Sequence, residues 1–120
     1  MPRRLGLVVA GGLIGSLIRY LVAGDPGDVP WELLGVNLAG SVIAGWLIGR
    51  VRMHAHPAHW LLPFAVIGIA GALTTFSGVI VDVVLLAESS RWSEAAVFSA
   101  VALATGPAAA GVGLRLGHRA

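Results

Sequence analysis

Apolar positions fall into four long blocks separated by short polar breaks, at residues 5–23, 31–49, 60–87 and 94–116. At 1.5 Å per residue, a 19-residue helix approaches the ~30 Å hydrocarbon thickness of a bilayer. Each block therefore predicts a membrane-spanning helix. The third is too long for a straight one, since its 28 residues would extend about 42 Å. Its centre also carries Gly68, Gly71, Thr74, Thr75, Phe76, Ser77 and Gly78, with a carboxylate following at Asp82. Polar or irregular backbone at that depth survives only where it lines a cavity or packs on protein. The third helix is thus predicted to break mid-membrane. A break frees carbonyls on its N-terminal half, which suit a cation, and amides on its C-terminal half, which suit an anion.

Glycine and small residues mark faces of close helix approach in the other blocks. Block one has Gly11, Gly12, Gly15 and Ser16; block two has Asn37, Gly40, Ser41 and Gly45. Asn37 reads either as helix–helix glue or as a pore residue. Arg19 reads either as a side chain snorkelling to the interface or as a buried charge with a partner. The connections carry turn chemistry: Gly24 to Pro30, Arg50 to His59 with Pro57, and Glu88 to Ser93, where Ser93 is the expected N-cap of block four. Gly106-Pro107 predicts a kink in that last helix. Trp31 is an expected interfacial anchor. Arg3 and Arg4 precede an apolar run longer than the 7–15 residues of a signal-peptide core, which favours a span over a leader.

Composition agrees with four spans. The chain is 57% hydrophobic and only 12% charged, with mean hydropathy +0.86. A soluble domain of 120 residues could not bury that much apolar surface. With no cysteine, thiol catalysis and thiolate metal sites are excluded. The pI near 10.5 raises nucleic acid as a partner, but the basic residues are scattered arginines at block ends, not a phosphate-tracking stripe. His54, His56 and His59 lack an accompanying carboxylate or thiol, so they read as a solvated loop and not a metal site. Charge placement also sets orientation. Arg3, Arg4, Arg50, Arg52, Arg115 and Arg119 fall on one side with no acid. Asp25, Asp28, Glu32, Glu88 and Glu94 fall on the other, with Arg91 as the loop cation. This bias predicts one mode of insertion, with both termini cytoplasmic.

Gly71-Ala72-Leu73-Thr74-Thr75-Phe76-Ser77 resembles the TTFS signature of the small fluoride channels called the Fluc or CrcB family. Gly12 through Arg19-Tyr20 resembles that family's first-helix pattern. Pro30-Trp31 followed by Val36-Asn37-Leu38-Ala39-Gly40-Ser41 resembles its PWxxLxVNxxGS pattern, and Gly106 matches a fourth-helix glycine. The resemblance covers essentially the whole chain. It implies an antiparallel dimer of four-helix subunits with fluoride pathways along the interface. It also implies a central Na+ held by the backbone carbonyls of Gly71 and Thr74. Asn37, Thr75, Phe76 and Ser77 would face the fluoride pathway, with Asn37 and Ser77 as donors and Phe76 presenting its positive ring edge. Arg19 and Asp82 would be structural charges within the membrane, Asp82 standing where the family usually has glutamate.

The pattern fails at some positions. Val79 stands where a second phenylalanine is usual, Gly78 for a threonine and Leu33 for another threonine. Phe98 and Ala102 stand for a tyrosine and a serine in the fourth helix. A homodimer would repeat these losses in both pathways, and a one-sided arginine bias opposes insertion in both orientations. The expected assembly is therefore a heterodimer with an oppositely oriented homologue, against the alternatives of a homodimer or a non-conducting accessory subunit. A proton-coupled multidrug transporter needs a carboxylate in the first helix, which this chain lacks. No nucleophile–base pair or phosphate loop suggests an enzyme. The expected role is passive export of cytoplasmic fluoride across the cell membrane.

Overall fold

The computed structural model describes residues 1–22, 28–54 and 58–119. The expected turn at Gly24 and neighbouring residues, the last residue of block one, and His56 and Pro57 lie outside them. The elements are α1 (Pro2–Val22), α2 (Trp31–Met53), a π-helix (Leu62–Ala70) running into α3 (Gly71–Leu73), α4 (Phe76–Glu88) and α5 (Trp92–Arg119). Four stretches are long and apolar enough to cross a membrane: Pro2–Val22, Trp31–Met53, Leu62–Glu88 and Trp92–Arg119. The protein is an all-α, multi-pass membrane protein, and its third span is broken between Leu73 and Phe76.

Pro63 is the second residue of the π-helix; it has no N–H to place and so costs little in a first turn. Its far end hands over to α3 through the Gly71 N–H, which reaches the carbonyls of both Val66 and Gly68. Long π-winding is uncommon and concentrates at functional sites. Here it lies immediately before the break.

Glycines set which helices touch. A Cβ on Gly11 would lie 2.3 Å from the Phe64 carbonyl oxygen, and one on Gly15 would lie 2.4 Å from that of Ile69. The advance along both elements has the same sense, so α1 runs parallel to the π-helix with backbones in contact. On the other side, α2 and α5 also run parallel. Trp31 meets Phe98 edge-to-face at 6.0 Å, and further along Gly45 and Gly49 oppose Ala110, Leu114 and Gly117. Cβ atoms on Gly113 and Gly117 would lie 2.1 and 2.2 Å from the carbonyl oxygens of Val42 and Trp46. No other residue permits that approach. Gly12 and Ser16, also expected on the packed face of α1, point elsewhere: Gly12 has no neighbour that a Cβ would meet, and Ser16 is exposed.

The buried core sits between α2, α4 and α5, where Leu34, Val79, Leu86 and Ala95 surround the fully buried Phe98. Large apolar side chains elsewhere face outward, as expected where lipid or a partner covers them.

Ser93 is not the N-cap of the last helix. The Arg91 carbonyl accepts the first helical bond, from the Ala95 N–H at 3.0 Å, and α5 begins at Trp92. The turn before it is closed by Ser90 in the left-handed region (φ 61°), with the Arg91 N–H donating to the Leu86 carbonyl at 2.9 Å. The Arg91 guanidinium then donates to the Glu94 carboxylate at 2.8 Å, holding the first turn of α5 in place. That helix continues through Pro107.

The seam between α2 and α5 yields a paired test. Gly113→Ala forces apart backbones that touch, and destabilisation of about 1–3 kcal/mol is expected from overpacking. Gly111→Ala, two residues away with nothing within 4 Å, should be neutral. Thermal unfolding of both variants in detergent distinguishes them; equal effects would show that the seam does not depend on glycine.

Candidate functional site

The break is built from two residues in extended conformation, Thr74 (φ −91°, ψ 120°) and Thr75 (φ −135°, ψ 119°). Three side chains replace the helical bonds that extension removes. Asn37, one helix away, accepts the Thr75 N–H on Oδ1 at 2.9 Å, and its Nδ2 donates a longer bond to the Thr75 carbonyl at 3.5 Å. Thr74 Oγ1 turns back to donate to the Ala70 carbonyl at 2.7 Å, which also receives the Thr74 N–H at 2.9 Å. Thr75 Oγ1 caps α4 by accepting the Gly78 N–H at 3.2 Å, and it pairs with Ser77 Oγ at 2.9 Å.

Two carbonyls lose their ordinary helical donors through these exchanges. In an unbroken α-helix the Gly71 carbonyl receives the Thr75 N–H, and the Thr74 carbonyl receives the Gly78 N–H. Both amides are bonded to side chains instead, at Asn37 Oδ1 and Thr75 Oγ1. Gly71 lies on the exposed surface of the subunit and Thr74 is half-buried. Bare carbonyl oxygens at membrane depth are the donor type that an unwound helix offers a hard cation.

Beside the break, α2, α4 and α5 line a partly open cavity of about 400 Å³. Asn37, Ser41, Thr74, Thr75 and Phe76 form its polar and aromatic side. The rest of its lining is apolar: Leu34, Leu38, Val79, Ala102 and Leu103, with Gly106 and Pro107. Pro107 has no amide to give the Leu103 carbonyl one turn back, so a further backbone oxygen lacks its helical donor in this wall.

The structure thus brings Asn37, Thr74, Thr75 and Phe76 to one cavity. Ser77 stays exposed beside Thr75, and Gly71 lies outside the cavity wall. Arg19 and Asp82 do not join the site; both are half-buried, and among the described residues neither forms an ion pair within the subunit. Phe76 lines the cavity and still leaves 66% of its surface exposed. Ser41 belongs to the cavity although its sequence reading was only that of a small packing residue. Its spacing from Asn37, one turn on the same helix face, is the signal that would have found it. Among the described residues its hydroxyl has no partner.

Several unusual positions acquire physical reasons. A Cβ on Gly78 would lie 2.8 Å from Thr75 Cγ2, so glycine here accompanies the threonine cap. Val79 and Phe98 are 6% and 0% exposed, and both are spent on the core that backs the cavity. At the loop expected to be solvated, His54 is exposed and its ring N–H donates to the Arg50 carbonyl at 2.7 Å. No cluster of three metal-ligating side chains occurs among the described residues.

A family model described as CrcB-like protein, Camphor Resistance (CrcB), matches residues 6–114. A fluoride-specific ion channel, FluC 1, of Mycolicibacterium paratuberculosis is 33% identical, over 98% of this chain and 92% of that protein. Fluoride-specific ion channel FluC 2 of Symbiobacterium thermophilum is 37% identical, over 93% of this chain and 95% of its own. Fluoride-specific ion channel FluC of Agrobacterium fabrum is 36% identical, over 95% of each chain. All three relatives carry the names of ion channels and not of enzymes.

Asn37→Leu keeps most of the side-chain volume but leaves the Thr75 amide without its partner. A destabilisation of about 1–3 kcal/mol is expected from the orphaned donor, with faster hydrogen exchange at the Thr75 amide. Unchanged exchange there would mean that Asn37 does not hold the break.

Proposed function

The chain belongs to the CrcB-like family, and from that premise we propose that it is a pore-forming subunit of a fluoride-selective channel. The observation that carries the reading is the cavity at the break. It sets a few hydrogen-bond donors into an otherwise apolar lining, at the break of a membrane span. Fluoride is small and strongly hydrated, so it enters hydrocarbon only where donors replace its water. Asn37 Nδ2 retains a hydrogen beyond its long bond to Thr75, Ser41 offers a hydroxyl, and Ser77 with Thr75 offers a second pair. Phe76 presents a ring edge of positive potential beside them. With no energy-coupling group in the chain, movement follows the fluoride gradient, and the physiological direction is export. Both termini lie on the cytoplasmic side.

The working unit is an antiparallel dimer with an oppositely oriented homologue. Phe76 and Gly71 are exposed in the isolated subunit and need a partner to complete their surroundings. The one-sided arginines disfavour a second copy inserted upside down. Val79, Phe98 and Ala102 supply no polar or aromatic rung from this chain, so the partner supplies it. The Gly71 and Thr74 carbonyls are suited to hold a sodium ion at the dimer centre. When bound, it supplies a fixed positive charge that offsets the cost of bringing an anion to that depth. A non-conducting accessory subunit is the second reading, favoured by the apolar wall of the cavity.

Liposomes loaded with fluoride or chloride test the proposal. The chain reconstituted alone should release neither; with its homologue it should release fluoride but not chloride. Phe76→Ile in the assembled channel should slow fluoride release by about fivefold, from a lost aromatic contact of order 1 kcal/mol. Rapid fluoride release by the chain alone overturns the heterodimer, an unchanged rate in Phe76→Ile favours the accessory subunit, and equal chloride release overturns fluoride selectivity.

A further inference from the structure

Ser41 and Pro107 stand where the seam between α2 and α5 gives way to the cavity. A Cβ on Gly45 would lie 2.3 Å from the Ala110 carbonyl oxygen. One turn back along these parallel helices, the same two faces carry Ser41 and Gly106, with Pro107 next to it, and all three line the cavity. Gly106 has no side chain, and a Cβ there would meet nothing within 4 Å. Ser41 therefore faces the Gly106–Pro107 turn across open space.

Each side of that space carries a polar atom without a partner in the fold. The hydroxyls of Thr74, Ser89, Ser99 and Thr105 each donate to the carbonyl four residues back, at 2.6 to 2.8 Å. Among the described residues Ser41 makes neither that bond nor any other. No unpaired side-chain oxygen or nitrogen is fully buried among them, so the oxygen of half-buried Ser41 borders open space, and the space that Ser41 lines is the cavity. On α5, the Leu103 carbonyl points along the helix at the ring of Pro107, which has no N–H to give it. Leu103 and Pro107 both belong to the lining, so this oxygen lies between them on that side of the cavity.

We propose that the Ser41 hydroxyl and the Leu103 carbonyl hold an ordered water molecule at the end of the cavity nearest the Gly45–Ala110 seam. One hydroxyl facing one bare carbonyl does not suit a lone anion, which the carbonyl oxygen repels. Water suits both, since it donates to the Leu103 carbonyl while accepting from the Ser41 hydroxyl, and the cavity has room for it. Its second hydrogen then points into the cavity, where Asn37 stands one turn along α2. Resting on the fluoride reading above, that hydrogen is one of the donors that replace the ion's hydration, so Ser41 acts on the ion through the water. The same water satisfies the carbonyl that proline leaves bare at membrane depth.

Water-edited solid-state NMR on the full-length chain, assembled with its homologue in lipid bilayers, tests the site. Magnetisation from water should reach the Leu103 carbonyl carbon faster than that of Ala110, whose oxygen is covered by the Gly45 backbone. In Pro107→Ala the restored amide takes the Leu103 carbonyl, and the transfer should drop to the Ala110 level. That variant regains a helical bond, so its melting temperature should not fall and misfolding does not account for the change. In liposomes Ser41→Ala and Pro107→Ala should each slow fluoride release about fivefold, as expected of one hydrogen bond. The double variant should also slow it about fivefold and not about twenty-five-fold, because both substitutions remove one water. Equal transfer to the two carbonyls in the wild type, or losses that multiply in the double variant, would overturn the water site. The transfer is read without fluoride, so its failure is distinct from failure of the fluoride reading, which shows as no fluoride release by the unsubstituted assembly.

Discussion

The bond between Asn37 and the Thr75 backbone is the contact on which the centre of this molecule depends. A helix interrupted in hydrocarbon must replace each bond that it loses, because a bare amide there costs several kcal/mol. One carboxamide from α2 takes the Thr75 N–H and reaches the Thr75 carbonyl, so two extended residues can persist at mid-membrane. The same bond diverts the amide that would otherwise cover the Gly71 carbonyl. The threonine cap of α4 does likewise for the Thr74 carbonyl. Stabilising the break and exposing its oxygens are one event.

Close packing elsewhere keeps that geometry in place. A Cβ on Gly40 would lie 2.7 Å from Thr74 Cγ2, so α2 approaches the break within reach of Asn37 only because glycine stands there. Further along, backbone contact between α2 and α5 closes the seam. Nearer the break, Leu38, Ala102 and Leu103 line the cavity. Small residues thus decide where the bundle is sealed and where it is hollow. The Val79–Phe98 core forms the back of the hollow, which explains why these two side chains contribute bulk and not polarity.

Much of this was legible in the sequence. Four apolar blocks gave four spans, and the excessive length of the third with its Gly/Thr/Ser cluster gave the break. Helical periodicity and length suffice for both. Partner choice was not legible: spacing alone leaves Asn37 as glue or as pore residue, and only the fold places its oxygen on the Thr75 N–H at the wall of the cavity. Ser93 looked like a cap because serine often is one, but the left-handed Ser90 and the Arg91–Glu94 pair start α5 earlier. The π-winding before the break also escaped the sequence, since a one-residue change in bond register alters no composition. Ser41 reads in sequence as a small residue, and only the fold sets it in the cavity lining with residues of α4 and α5.

If the freed carbonyls of Gly71 and Thr74 hold a cation, the most direct measurement is the sodium content of the assembled channel after exhaustive exchange into lithium buffer. Sodium should be retained by the wild-type assembly and lost from Asn37→Leu, in which the Thr75 amide is free to return to the Gly71 carbonyl. Absence of sodium from the wild type, or equal retention by both proteins, would contradict a cation site created by the break.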